Sequence, residues 1–206
     1  MKNKILKTFF GHKLRGVEKV IIIPIRPIYN LFKKRNIREY KGWWNNFYLK
    51  KNTLVVNAPI GAHIEDTVYY LPDIVKEVLL IGYCGSISRS INVGAVVSCI
   101  YASDGKDIIK SKSILPKSEK VRVLQVSSLS KQTPSFLLRS RKKYDCLDME
   151  TYTVFKICNK KGINASAFYI VTDDLEKPFF DVDKKDLNNI HVSSKKLVKK
   201  IENGKD

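Results

Sequence analysis

The chain has no long apolar run, no paired-cysteine spacing and only three histidines, and each absence narrows what its 206 residues can be. No apolar stretch approaches the roughly 20 residues that a membrane span needs. The basic segment Met1 to Phe10 is interrupted by Lys7 and lacks an apolar core of about 7 to 15 residues, so no secretory signal is expected. The expected compartment is the cytoplasm. Cys84, Cys99, Cys146 and Cys158 are scattered without a CxxC spacing and lie in or beside apolar patterns, as reduced core thiols do. No metal is expected, because neither these cysteines nor the histidines have the spacing of a zinc site. The phosphate loop GxxxxGK[ST] and the dinucleotide fingerprint GxGxxG are both missing, which removes the usual signatures of nucleoside-triphosphate and dinucleotide enzymes.

Acidic residues are also scarce. Twenty Asp and Glu stand against 38 Lys and Arg, for a net charge of +18. A sequence pI near 9.7 suggests phosphate-bearing partners. The excess, however, sits largely in Lys-rich stretches, Met1 to Arg15, Lys106 to Lys143 and Lys184 to Lys205, without a continuous basic helix or interleaved aromatics. No RRM, KH or zinc-finger pattern is present. Nucleic acid and membrane are therefore not expected as partners, and the charge accords with solubility or with attraction of a small phosphate-bearing substrate.

What is present reads as one α/β domain over residues 1–206, with basic ends at about 1–15 and 202–206. Val20 to Ile23 is an apolar strand stopped by Pro24-Ile25-Arg26-Pro27, after which Ile28, Leu31 and Phe32 carry a helical period toward Arg35. Arg38 to Leu49 reads as a strand or hairpin arm, Asn52 to Asn57 as a buried strand, and His63 to Leu71 as a short helix stopped by Pro72. Strands follow at Glu77 to Gly82, Gly94 to Ser103 and Val121 to Val126. A helix over Pro134 to Arg141 comes next, then a helix beginning near Asp148, a strand from Ala165, and a final amphipathic helix through Leu187, Ile190, Leu197, Val198 and Ile201. From Glu202 onward the chain is expected to fray. This alternation predicts an α/β sandwich around a largely parallel or mixed sheet.

The most informative segment is Cys146-Leu147-Asp148-Met149-Glu150-Thr151, followed about twenty residues later by Ile170-Val171-Thr172-Asp173-Asp174. Glu150 opens a helix whose inward positions are Thr151, Val154, Phe155 and Cys158, with Gly162 placed to end it. The strand from Ala165 finishes at Asp173. Both carboxylates can then face one crevice at the carboxyl edge of a sheet, where open α/β folds bind ligands. The spacing equally fits a simpler reading in which Asp148 caps the helix and Thr172-Asp173-Asp174 is a turn.

Three turns, Pro59-Ile60-Gly61, Gly82-Tyr83-Cys84-Gly85 and Ile91-Asn92-Val93-Gly94, contain glycine, which permits close backbone approach to a ligand. In order and spacing, these turns and the two acidic segments resemble the nucleoside phosphorylase superfamily, which includes purine nucleoside and uridine phosphorylases, methylthioadenosine nucleosidases and AMP nucleosidase. Val20 to Tyr29 is similar to that family's first strand and phosphate loop, and Ala58 to Gly61 to its Gly-Ile-Gly turn. Ile81 to Ile87 resembles its strand-ending glycine loop, and Ile91 to Gly105 the Asn-Val-Gly strand that runs to Asp-Gly. Asp148-Met149-Glu150-Thr151 resembles its Met-Glu ribose motif, and Val171-Thr172-Asp173 its Val-Ser-Asp purine motif.

The resemblance implies a three-layer α/β/α sandwich with a central mixed sheet, and an enzyme that cleaves the N-glycosidic bond of a purine nucleoside or nucleotide. Asp173 matches the acid that protonates or hydrogen-bonds the imidazole-ring nitrogen of the leaving base. Its pKa would need raising by burial or by Asp174. Glu150 matches the acceptor of the ribose hydroxyls and Met149 the residue that packs on the sugar. Ser127 and Ser128, with Asp174, match the base pocket.

On the nucleophile side the chain departs from the phosphorylases. Their Gly-Asp-Pro loop corresponds to Ile25-Arg26-Pro27-Ile28-Tyr29, their later arginine to Leu80, and a small hydroxyl residue to Tyr83. Arg38 matches an arginine that a neighbouring subunit contributes in hexameric members, and Arg26 is a substitute cation. Arg26, Arg38, Gly61, Tyr83 and Cys84 are thus the candidates on that side. The Gly82-Tyr83-Cys84-Gly85 loop is most similar to that of AMP nucleosidase, whose nucleophile is water. Phosphorolysis with inorganic phosphate as co-substrate, hydrolysis, and a catalytically inactive nucleoside-binding protein of the same fold therefore all stay open. The resemblance implies no cofactor and a homo-oligomer, dimer or hexamer. Trp43, Trp44 and Tyr48 suit either its interface or a core-facing strand.

Overall fold

A computed structural model describes residues 10, 14, 16–33, 37–42, 44–128, 130, 132–175 and 181–203. The expectations for most of the basic amino-terminal stretch, for the helix end near Arg35, for Trp43 and for the last three residues lie outside them. The elements run in the order β1 (Lys19–Ile22), α1 (Arg26–Phe32), β2 (Tyr40–Lys41), β3 (Asn46–Lys50), β4 (Thr53–Asn57), α2 (Ile64–Tyr69), β5 (Glu77–Ser86), β6 (Val96–Ser103), β7 (Ile108–Lys110), β8 (Glu119–Gln125), α3 (Pro134–Ser140), β9 (Cys146–Asp148), α4 (Thr151–Lys160), β10 (Asn164–Asp173) and α5 (Lys184–Asn203). Among the described residues no helix is long and apolar enough to cross a membrane.

The central strands are apolar at consecutive positions, and because side chains alternate across a strand they feed two separate cores. Val20, Ile22, Leu54, Val56, Val78, Leu80 and Ala167 point to one face, where α2 and α4 cover them with Ile64, Val68, Val154, Phe155 and Cys158. Ile21, Val55, Leu79, Ile81, Phe168 and Ile170 point to the other, where α1 and α5 pack through Ile28, Phe32, Ile190, Leu197 and Val198. Two helical layers around one sheet make the three-layer α/β/α sandwich that the resemblance implies.

The sheet is mixed. β1 pairs in parallel with β4 and β5, while β2, β3 and β4 form an antiparallel wing. Beyond β5 the order is β9, β8, β6, β10, and β10 returns to pair in parallel with β5. Five strands thus close into a ring, a feature that element alternation alone does not reveal. Ring closure depends on β9, only three residues long, where the sequence predicts no strand and only a helix beginning near Asp148. Its pairing with Gly85 and Ser86 on one side and with Val123 to Gln125 on the other makes it a strand.

Several details at the ends differ from expectation. Glu202 and Asn203 are helical, and Glu202 pairs with Lys50 at 2.7 Å, which ties the last described turn to β3. Leu187 is 55% exposed, so the inward stripe of α5 begins at Ile190. Tyr48 is fully buried against the Tyr29 ring, with centroids 5.7 Å apart, so it belongs to the core rather than to an interface; Trp44 is 60% exposed.

Phe155 carries the packing of α4 against the sheet and is essentially inaccessible to solvent. Phe155→Ala is expected to destabilise the fold by about 3 to 5 kcal/mol, read as a lowered urea midpoint with little change in slope.

Candidate active site

The amino terminus of α4 is where the polar residues gather, because β9 and β8 supply partners for its unpaired N–H groups. Asp148, at the end of β9, accepts from the Thr151 N–H at 2.9 Å and the Glu150 N–H at 3.3 Å through Oδ2. The same oxygen accepts from the Thr151 hydroxyl and from the Tyr169 hydroxyl of β10. Gln125, from the end of β8, accepts the Thr153 N–H and donates to the Thr153 hydroxyl, each at 2.8 Å. Asp148 therefore does cap the helix, and it also joins β9, α4 and β10 inside the strand ring. Burial raises its pKa to about 6, although the hydrogen bonds from Thr151, Glu150 and Tyr169 favour its ionised form.

This scaffold fixes Glu150, which is 7% exposed, at the first position before α4. Its Oε1 accepts the Gly61 N–H at 2.6 Å. Gly61 has a φ of +72°, a conformation that glycine adopts without strain, and Met149 lies just beyond it, with Cε 3.6 Å from where a Cβ would stand. The turn after β4 and the turn before α4 thus meet at the sugar-side pair named from the sequence. Burial, and then the charge of Asp148, push the Glu150 carboxyl up to about 7.

Asp173 closes β10 beside Gly85, its register partner on β5, and Gly85 in turn pairs with Leu147 of β9. The base-side acid and the β9–α4 turn therefore lie at neighbouring strand ends. A Cβ on Gly85 would stand 2.6 Å from Asp173 Oδ2, so the carboxyl occupies space that only glycine leaves open. Thr172 donates to Asp173 Oδ1 at 2.7 Å. Burial raises the Asp173 pKa, the Thr172 hydrogen bond opposes the rise, and the nearby charge of Asp174 adds to it.

The other candidates divide. Ser127 and Ser128 leave β8 directly after Val126, whose N–H donates to the Asp148 carbonyl at 2.7 Å, so they border the same turn; the Ser128 hydroxyl meets that of Ser130 at 2.8 Å. Asp174 is half-buried on the wall of an adjoining cavity. Arg26, at the carboxyl edge of β1 and β4, is held by Glu39 at 3.2 Å and Asn57 at 3.2 Å, with its guanidinium over the Tyr29 ring. Arg38 is exposed and lies over Tyr40. Tyr83 is not brought to the site. Its position on β5 directs the ring to the α1–α5 face, where it packs on the core and reaches Ser194 of α5. Cys84 is buried beside Cys146, and burial raises its thiol pKa well above the ordinary range, which keeps it an unreactive core thiol. Leu80 is a core residue.

Sequence reasoning missed Tyr169, Gln125 and Thr172 as supports of the site. A tyrosine inside the apolar run of β10 reads as core, and nothing local to Gln125 announces that it will clamp a helix 28 residues later. Thr172 had a signal, since it stands beside the acid it serves. Among the described residues no three His, Cys, Asp or Glu side chains are grouped to hold a metal ion.

No protein-family model matches the chain, and no curated protein matches its sequence. Solved structures do match in shape. The 5'-methylthioadenosine/S-adenosylhomocysteine nucleosidase of Neisseria meningitidis aligns with a TM-score of 0.76 at 15% identity, over 91% of this chain and 99% of that one. The corresponding nucleosidase of Campylobacter jejuni gives 0.73 at 15% identity, over 91% and 100%. A futalosine hydrolase mutant of Helicobacter pylori gives 0.67 at 18% identity, over 91% and 98%. At such identities the likeness is one of architecture, and the chain has the nucleoside phosphorylase-like fold of these nucleosidases.

Proposed function

We propose that the protein cleaves the N-glycosidic bond of a purine nucleoside or nucleotide. The observation that carries this reading is the placement of two carboxyl groups with raised pKa values at neighbouring strand ends, Glu150 held by Gly61 and Asp173 seated over Gly85. Breaking the bond between the anomeric carbon and the purine leaves an oxocarbenium-like sugar and an electron pair on the base. Asp173, whose carboxyl burial pushes toward the neutral form, supplies a proton to the imidazole ring as that pair arrives. Ionised Glu150 accepts hydrogen bonds from the ribose diol and favours the sugar's developing positive charge. Water then adds to the anomeric carbon, and the proton it loses returns through solvent to the Asp173 carboxylate, which restores the acid.

Hydrolysis suits the site better than phosphorolysis, because Arg26 is already engaged by Glu39 and Asn57 and Leu80 offers no cation. The same feature supports a second reading, a nucleoside-binding protein without turnover, since Tyr83 faces α5 and leaves no hydroxyl to hold an attacking group.

Incubation with adenosine, inosine, guanosine, methylthioadenosine and AMP, each with and without phosphate, separates these readings by release of free base. Release without phosphate is expected. Release only with phosphate would make the protein a phosphorylase, and none from any substrate would leave the binding reading. Asp173→Asn should lower release by at least about 100-fold, in line with loss of a general acid, and unchanged turnover would remove Asp173 from the mechanism.

Gly85→Ala should act nearly as strongly, because the new methyl group displaces the Asp173 carboxyl; a thermal melt close to that of the parent would show that the loss is local. The pH profile of kcat/KM has a definite sign. Activity should rise through about pH 7 as Glu150 ionises. Asp148→Asn removes the neighbouring charge that raises Glu150, so the acidic limb should move to lower pH. A limb that stays in place would show that Glu150 does not control it.

A further inference from the structure

Next to the cavity that Asp174 borders lies a cleft that the proposed chemistry does not use. It opens between the β5–β6 loop and α3, has a volume of about 560 Å3, and among the described residues is lined by five cations, Arg89, Arg122, Arg139, Arg141 and Lys142, and one acid, Asp145. The chain has eight arginines against thirty lysines, yet four of the eight line this cavity. Asp145 does not neutralise the group. It is spent on Arg122, with Nε to Oδ2 at 2.8 Å and Nη2 to Oδ1 at 2.7 Å. No salt bridge among the described residues engages Arg89, Arg139, Arg141 or Lys142.

Four uncompensated cations around one concavity repel each other and focus a positive potential that draws in anions. Guanidinium groups bind phosphate oxygens in pairs, as the compact ammonium of lysine does not. The cleft is continuous with a second cavity of about 460 Å3, which shares Ser88, Arg89, Leu138 and Arg141 and reaches Asp174 and Leu175, directly after Asp173. Both volumes fall in the range of small-molecule sites. Among the described residues no aromatic side chain lines either cavity, whereas single-stranded nucleic acid is bound by stacking platforms.

We infer that this arginine cleft binds the phosphate of a small nucleotide, at a site that meets the candidate active site only at Asp174 and does not depend on the reading under Proposed function.

The test is calorimetric titration of the Asp173→Asn protein, in which turnover is blocked, with AMP, adenosine, inorganic phosphate and a ten-nucleotide single strand, repeated after adding Arg89→Ala and Arg141→Ala. AMP should bind at least about tenfold more tightly than adenosine, and the two alanine substitutions should erase that difference while leaving adenosine affinity and the melting temperature near their starting values. Equal affinity for AMP and adenosine, or a preference that survives the double substitution, would overturn the inference. Phosphate alone binding as tightly as AMP would make the cleft a free-anion site, and tighter binding of the single strand would replace the small nucleotide as occupant. Arginine-dependent AMP binding by a protein that releases no base from any substrate would retain the phosphate site and discard the reaction.

Discussion

The buried contact of Asp148 with Thr151 and Tyr169 is the interaction on which the candidate site depends. A carboxyl group taken out of water is strongly disfavoured unless hydrogen bonds replace its hydration. Here one oxygen receives two backbone N–H groups and two hydroxyls, while Oδ1 has no hydrogen-bond partner among the described residues. The arrangement persists because its members come from β9, α4 and β10, and moving any one of them would strand the carboxylate. Glu150 inherits this rigidity. Its backbone N–H is one of the donors, so the orientation of the sugar-side carboxylate and the integrity of the strand ring are one problem.

Ring closure has a chemical consequence. In an open sheet the ends of β5 and β10 would be neighbours, but the β9–α4 turn would be free to sit elsewhere. Pairing β9 between β5 and β8 puts Leu147 against Gly85, and Gly85 against Asp173. Burial in that corner then pushes both Glu150 and Asp173 toward the neutral form. Each also meets one donor that favours the ionised form and one like charge that opposes it, the Gly61 N–H and Asp148 for Glu150, the Thr172 hydroxyl and Asp174 for Asp173.

Charge is distributed with similar economy. The cations closest to the strand ends on the nucleophile side are consumed internally, Arg26 by Glu39 and Asn57, and Lys33 by Glu39 at 2.6 Å. Arg89, Arg139 and Arg141, which no salt bridge among the described residues engages, lie around α3 and the β5–β6 loop. An excess of lysine spread over a surface mainly keeps a chain soluble, but arginine concentrated in one concavity is a different physical object, because its field lines converge on a space that a ligand can fill.

Much of this was legible in the sequence. Apolar runs at Val20, Leu54, Val78 and Ala165, and helical periods at Ile28, Val154 and Ile190, determine which residues are buried, and so the sandwich itself, because burial follows periodicity. Glu150 and Asp173 were legible as a pair because each stands at the boundary of a periodic segment. The tertiary structure alone decided the rest. It made Cys146 to Asp148 a strand, turned Tyr83 toward α5, set Gln125 and Tyr169 around α4, and gathered Arg89 with Arg139 and Arg141. Those outcomes depend on which distant strands pair and in what register, and a side chain's neighbours across a sheet leave no trace in the spacing of its own segment.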